Sequence, residues 1–297
     1  MIVVREAPRA SNSLTMRRFM KLPFLLLLTL CLVFSSPLQG TELKATTAAA
    51  FQHYVDVTEA RMQTELADPQ HFLYFDSLPE AQKQAMVERL RSGQVVVQTL
   101  RTTEKGKPIE VPDGLVHHWM AIAFLPGVRR DQVVALEEDY PRHPQIYGPD
   151  VQQAKVISQT GQHYTVYFRF YRQAIVTVVY NVDFNVEYVL PDASRAYSIS
   201  HGTRIAEVQD VGKADEKELP IGNDHGYMWR LNLYARYLER DGGVYVQIEF
   251  LALSRRVPAV FAWLVNPYVR AIPRDYLTHF MIATRKALPA TTGVAAN

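Results

Sequence analysis

The chain has a single cysteine in 297 residues, Cys31, and it lies inside an N-terminal apolar segment. A mature protein lacking that segment has no disulfide, no thiolate nucleophile and no cysteine-ligated zinc. Also missing are a Gly-x-Ser-x-Gly elbow, a phosphate-binding loop and a dinucleotide fingerprint, which removes several motif-borne enzyme classes and their cofactors. Basic excess is absent too. Residues 1–40 hold five Lys/Arg and one Asp/Glu, so without them 27 basic residues face 29 acidic ones and the formal charge moves from +2 to −2. Such a balance gives nucleic acid no footprint, and none is expected as a partner.

What is there begins with a leader. Arg17, Arg18 and Lys21 precede the apolar run Leu22–Phe34, and Ser35, Ser36, Pro37 and Gly40 follow, the order of a secretory signal peptide. The run is shorter than the about 20 residues that span a bilayer. Residues 1–40 are read as a signal peptide cleaved near Gly40, with Met16 as a candidate start. The expected location is exported, periplasmic or secreted; an uncleaved anchor is the rival reading. Thr29-Leu30 before Cys31 does not fit a lipoprotein signal, which needs small residues there.

Residues 41–112 read as a mainly helical extension packed on the domain that follows. Helices are expected over Thr41–Asp68, stopped by Pro69, and from Ser77-Leu78-Pro79-Glu80 to Arg91, stopped by Ser92-Gly93. Gln94–Arg101 is a β-rich run. The main domain, 113–288, opens with a buried strand, Leu115–Leu125, a helix over Arg130–Tyr140 and a short helical piece at His143–Tyr147. Strands follow over Val151–Ser158, Tyr164–Tyr171, Ile175–Leu190 and Ala196–Val208, then a polar loop, Val211–Asn223. A long hairpin pairs Tyr227–Glu239 with Val244–Leu253 around Asp241-Gly242-Gly243, a turn whose residues tolerate positive φ. Beyond it a short helix entered at Pro258 is expected to be interrupted by Pro267 and Pro273 before a last helix, Arg274–Leu288. Residues 289–297 read as a loose tail.

The hairpin alternates. Trp229, Leu231, Leu233 and Tyr237 share a face with Val246, Ile248, Phe250 and Ala252. Arg230, Asn232, Tyr234 and Arg236 share the other with Tyr245, Gln247 and Glu249, Arg236 lying close to Gln247 or Glu249. The polar candidates Arg230, Arg236 and Glu249 carry two readings: a ligand-orienting pair, or a cross-strand ion pair on the solvent side worth at most about 1 kcal/mol. The second is preferred, because the opposite face is the more apolar. His117 and His118 point to opposite sides of a strand and cannot chelate one ion together, so no metal site is expected. Ser198, Ser200 and Ser254 with His201 form no recognisable triad.

The segment Val133-Val134-Ala135-Leu136-Glu137-Glu138-Asp139-Tyr140-Pro141-Arg142-His143-Pro144, followed by Pro149-Asp150-Val151-Gln152-Gln153-Ala154, resembles the helix-to-helix passage and second-strand entry of the START-like, polyketide-cyclase-like (SRPBCC, helix-grip) superfamily. So does the order strand, two short helices, antiparallel strands, long final helix. The resemblance covers roughly 113–288. It implies an α+β fold in which six to seven antiparallel strands curve around the C-terminal helix, with a cavity between them for lipids, sterols or polyketides. One helix stripe cannot fill the apolar face of so many long strands, which by itself leaves an apolar-lined space.

The expected cavity lining is Trp229, Leu231, Leu233, Val246, Ile248, Phe250, Phe280, Met281 and Thr284, with ordinary packed core as the rival. The expected function is an exported, cofactor-free protein that holds an apolar or amphipathic, lipid-like molecule. The alternatives are a cyclase- or hydrolase-like enzyme, in which a Tyr/Arg pair drawn from residues such as Tyr164, Tyr167, Tyr180, Tyr188 and Tyr234 polarises a carbonyl, and a structural envelope protein whose extension covers the groove. The apolar run Val257–Val265 reads either as a rim touching a membrane surface or as a core helix.

Overall fold

The computed structural model describes residues 41–173, 177–257 and 259–288, and for 259–272 the helix path alone. The signal peptide expected over 1–40, the start of the strand expected at Ile175, the side chains of the run Val257–Val265 beyond Val257, and the tail 289–297 lie outside the described residues.

In chain order the elements are β1 (Thr41–Glu42), α1 (Ala45–Ala67), a 3-10 turn at Tyr74–Ser77, α2 (Glu80–Arg91), β2 (Val96–Thr99), β3 (Thr103–Glu104), β4 (Lys107–Pro108) and β5 (Gly114–Pro126). Then come α3 (Arg130–Glu138), α4 (His143–Tyr147), β6 (Val151–Thr160), β7 (His163–Gln173), β8 (Thr177–Val189), β9 (Arg195–Gln209), β10 (Lys217–Glu218) and β11 (Asn223–Asp224). The chain closes with β12 (Arg230–Arg240), β13 (Gly243–Arg255) and α5 (Ala259–Ala287). The order of the long elements is the one the helix-grip resemblance implied.

The main sheet runs β2-β5-β13-β12-β9-β8-β7-β6, every pair antiparallel, with β10 added on β9. It is larger than the six to seven strands expected, because β2 extends one edge and β10 doubles the end of β9. The hairpin pairs the expected strands with the expected faces, and its register puts Arg236 opposite Gln247, the first of the two neighbours read for it, with Tyr237 opposite Val246 and Leu233 opposite Phe250. Asp241 and Gly242 hold φ of 58° and 75°, the left-handed pair a primed two-residue turn needs.

Two layers cover the sheet. On one face α3, α4 and the C-terminal half of α5 pack with Val166, Val182, Phe184, Leu231, Tyr237, Val246 and Ile248. On the other, Phe51, Tyr54, Val55 and Met62 of α1 sit with Leu251 and Leu253, while Phe72, Phe75, Met86 and Leu90 sit with Met120, Ile122 and Tyr245. Phe51, Tyr54, Val55, Thr58 and Met62 recur at helical spacing, so α1 owes its position to one apolar stripe.

Two sequence expectations fail. The helix after β13 is continuous across Pro267 and Pro273 instead of breaking there. A proline removes one helix hydrogen bond, and the packing of Leu277, Met281 and Thr284 further along holds the helix in place. The polar face of the hairpin, expected on the solvent side, is buried: Arg236, Gln247 and Glu249 are 2%, 1% and 1% exposed, beneath α1 and the 3-10 turn.

Candidate functional site

The α5 face holds a small cavity. It is lined by Phe168, Phe170, Phe184, Tyr188, Leu233, Ile248, Tyr276, Leu277 and Phe280 among others, with a volume of about 90 Å³. Its room comes from short side chains under bulky neighbours: Ser198 and Ser200 on β9 and Ala235 on β12 lie opposite the aromatic residues of β7 and β8. Phe280 of α5 stacks on Tyr147 at 4.3 Å and 9°, and Phe168 stacks on Phe170 at 5.2 Å, so the walls are mostly ring faces and edges.

One carboxyl group enters this apolar space. Glu137, in the last turn of α3, is 9% exposed, and Tyr147 Oη donates to its Oε1 at 3.1 Å. That is the carboxyl group's only hydrogen bond among the described residues. Burial pushes its pKa up to about 7, and the Tyr147 hydroxyl restrains the rise. Around it are hydroxyls and one imidazole. Tyr140 and Tyr188 share a hydrogen bond at 2.9 Å, and Tyr147 meets Thr284 Oγ1 at 3.2 Å. Tyr237 and Tyr276 lie within electrostatic reach of the carboxyl. His143 Nε2 donates to the Leu136 carbonyl at 3.3 Å, and burial lowers its pKa to about 4, so it is neutral at pH 7. Burial raises the pKa values of Tyr147 and Tyr276, followed by Glu137 for Tyr147 and by Asp150 and then Glu137 for Tyr276, so neither phenol ionises at neutral pH.

The expected lining residues divide. Leu233, Ile248 and Phe280 line the cavity. Leu231, Val246 and Met281 are packed core beside it, and Phe250 packs partly buried against that core. Thr284 is fully buried and bonds to Tyr147 rather than to the open space. Trp229 is on the wrong side. It packs with Phe51, Tyr54 and Leu253 on the α1 face, and its Nε1 donates to Asp224 Oδ1 at 3.1 Å. Trp229 escapes the strand alternation because β12 starts only at Arg230, after a left-handed turn at Gly226.

The polar candidates belong to the opposite face. Arg236 donates to Glu65 Oε2 at 2.7 Å and to the Phe72 carbonyl at 2.9 Å, and lies 3.6 Å from Glu249. Arg61 of α1 donates to Glu249 Oε2 at 2.6 Å, and His118 Nε2 stands 3.3 Å from the same oxygen. Burial alone would raise the Glu249 pKa, but His118, Arg61 and Arg236 together hold it down at about 2. The network ties α1 to the sheet and touches no part of the α5-face cavity. Arg230 stands apart, donating to the Trp229 carbonyl at 2.8 Å. His117 and His118 do face opposite ways, to Ser254 and to Tyr54 with Glu249.

A larger opening, about 530 Å³, lies beside α1 over the other face of β12, β9, β8 and β7. Glu59 there accepts from Tyr234 Oη at 2.7 Å and meets His201 Nε2 at 2.6 Å. Its walls mix hydroxyls, amides and short apolar patches, and Thr165 there donates to Asn185 Oδ1 at 3.3 Å.

Glu137 was absent from the candidates read from sequence. The available signal was a carboxylate at i+3 and i+4 from Val134 and Val133, on the stripe that buries α3.

No family model matches this chain, and no curated protein matches it. Among solved structures, human STARD10 is similar at 10% identity and a TM-score of 0.41, over 71% of this chain and 81% of its own. A STAR-related lipid transfer protein from Xanthomonas axonopodis is similar at 17% identity and a TM-score of 0.38, over 59% of this chain and 96% of its own. The Zhui aromatase/cyclase from Streptomyces sp. R1128 is similar at 10% and 0.37, over 58% and 93%. At these TM-scores the likeness carries neither ligand nor reaction across to this chain.

Proposed function

We propose that the chain is a binding protein that holds a small, mostly apolar molecule in the cavity between the main sheet and α5. The observation that carries the reading is the lining: aromatic and aliphatic walls converge on one buried carboxyl and a few hydroxyls, the make-up of a small-molecule pocket. The cavity is smaller than an apolar cavity of about 150 Å³ that takes up benzene. A larger ligand therefore displaces side chains, and Tyr276, Leu277 and Phe280 on α5 are the ones in the way. Native mass spectrometry of protein purified without detergent tests the reading. A bound small hydrophobic mass is expected. A bare mass, together with no response of the cavity methyl groups to added phenol, would sink it.

A second reading has a specific observation in its favour. A carboxyl group with a pKa of about 7 beside tyrosine hydroxyls suits proton transfer next to a carbonyl, as a cyclase-like enzyme needs. Deuterium exchange into the α-position of a bound ketone, lost in Glu137→Gln, would favour it, and no exchange above the buffer rate would remove it. Export rests on the leader alone and is a further proposal, checked by N-terminal sequencing of the mature protein: a start near Thr41 is expected, and a retained leader would contradict it.

A further inference from the structure

The walls around Glu137 have a charge property that bears on which ligands the cavity accepts. Among the described lining residues there is no lysine or arginine to face an anion. The titratable groups gathered on the carboxyl are Tyr140 after α3, His143 and Tyr147 on α4, Tyr188 on β8, Tyr237 on β12 and Tyr276 on α5. At neutral pH the phenols are neutral, and so is the imidazole, whose Nε2 proton is spent on a backbone carbonyl. Among the described lining residues the site thus holds one acidic group, several neutral hydroxyls and no compensating cation; Asp150 and Arg172, which both act on Tyr276, lie outside the lining and pair with each other at 3.0 Å. A carboxylate ligand placed there would lose its water without gaining a counter-charge, and it would face a second carboxyl at short range, two costs of the same sign.

We propose that Glu137 makes the cavity selective for neutral ligands that carry one hydroxyl or carbonyl group, and that it rejects the matching carboxylates. Protonated, Glu137 donates to a ligand carbonyl or hydroxyl oxygen; ionised, it accepts from a ligand hydroxyl. A phenol or alcohol therefore fits both states, a ketone fits the protonated state, and a carboxylate finds a donor only in the protonated state, where its charge still lacks a counter-charge. The proposal rests on the binding function proposed above and adds the ligand class.

Phenol and benzoate share a ring and differ in this property, so they are the probes. Their binding to the full chain is measured by isotope-filtered NMR at pH 6 and pH 8, for wild type and Glu137→Gln. Phenol is expected to contact Leu233, Ile248 and Leu277 at both pH values, with affinity changing less than about threefold. Benzoate is expected to bind at least about tenfold more weakly at pH 8 and to lose affinity between pH 6 and pH 8, as Glu137 ionises. Glu137→Gln is expected to recover about tenfold of the benzoate deficit and to abolish its pH dependence. Should the variant not fold, the wild-type pH comparison decides alone. Benzoate binding in the cavity as tightly as phenol at pH 8 would overturn the selectivity while leaving the binding function standing. Silence from both probes would overturn the binding function, and the selectivity with it.

Discussion

Glu137→Gln should make the protein markedly less sensitive to alkaline conditions. The group is buried, and its pKa in the fold is about 7 against an ordinary 4.5. Between those two values the folded chain keeps a proton that the unfolded chain releases. The contribution of the neutral carboxyl is therefore fully present below about pH 4.5, falls as pH rises through the window, and levels off above pH 7. At about 1.4 kcal/mol for each tenfold change in proton affinity, the loss at pH 8 comes to about 3 kcal/mol. Glutamine keeps the shape and an oxygen for Tyr147 Oη, but it has no proton to lose. Urea unfolding of both proteins at pH 5 and pH 8 isolates this group, since every other titration cancels in the comparison. The wild type is expected to lose about 2.5 kcal/mol more than the variant between the two pH values, part of the loss having already occurred at pH 5, with unchanged m-values. A difference below about 0.5 kcal/mol would refute the argument that the carboxyl is buried beside neutral hydroxyls.

Other consequences are independent of that site. Arg236→Ala removes the centre of the network under α1 and leaves Glu65 and Glu249 short of a partner; urea unfolding should show a cost of about 3–5 kcal/mol, and a cost under about 1 kcal/mol would mean the charges are solvated after all. Because the folded pKa of Glu249 is held at about 2, below its ordinary 4.5, its contribution is present above pH 4.5 and is lost only as pH falls toward 2. Hydrogen exchange at pH 5 should then find the α1 amides as protected as at pH 7, after correction for intrinsic rates. Early opening of α1 there would count against the ion network. Gly242→Ala meets no atoms within 4 Å but inherits a φ of +75°, so a loss of about 1 kcal/mol is expected from backbone strain alone; a neutral result would question the primed turn.

Much of the fold was legible in the sequence where the pattern is local. The pairing of β12 with β13 and the sharing of faces followed from the Asp-Gly turn and the alternation, which left Arg236 beside Gln247 or Glu249; it stands opposite Gln247. The Ala-rich run of α1 and the Pro79 and Gly93 punctuation of α2 read correctly to within a few residues. The failures are long-range. Alternation says that Arg236 and Glu249 share a face but not what covers it; their partners Arg61 and Glu65 are more than 170 residues away in sequence. Trp229 obeyed the parity of the strand on paper, yet it precedes the strand and is turned by Gly226 and gripped by Asp224. Glu137 was not among the residues singled out from the sequence. Only the convergence of α4, β8, β12 and α5 makes it the one acid among the described residues that line an aromatic cavity.

The central claim is that a small apolar molecule sits between the sheet and α5. Its most direct test is an isotope-filtered NOE spectrum of the protein with phenol. Contacts from the phenol ring to Leu233, Ile248, Leu277 and the Phe168 and Phe184 rings are predicted. Contacts confined to Tyr197, Ile199 and Met62 in the opening beside α1, or none at all, would contradict it.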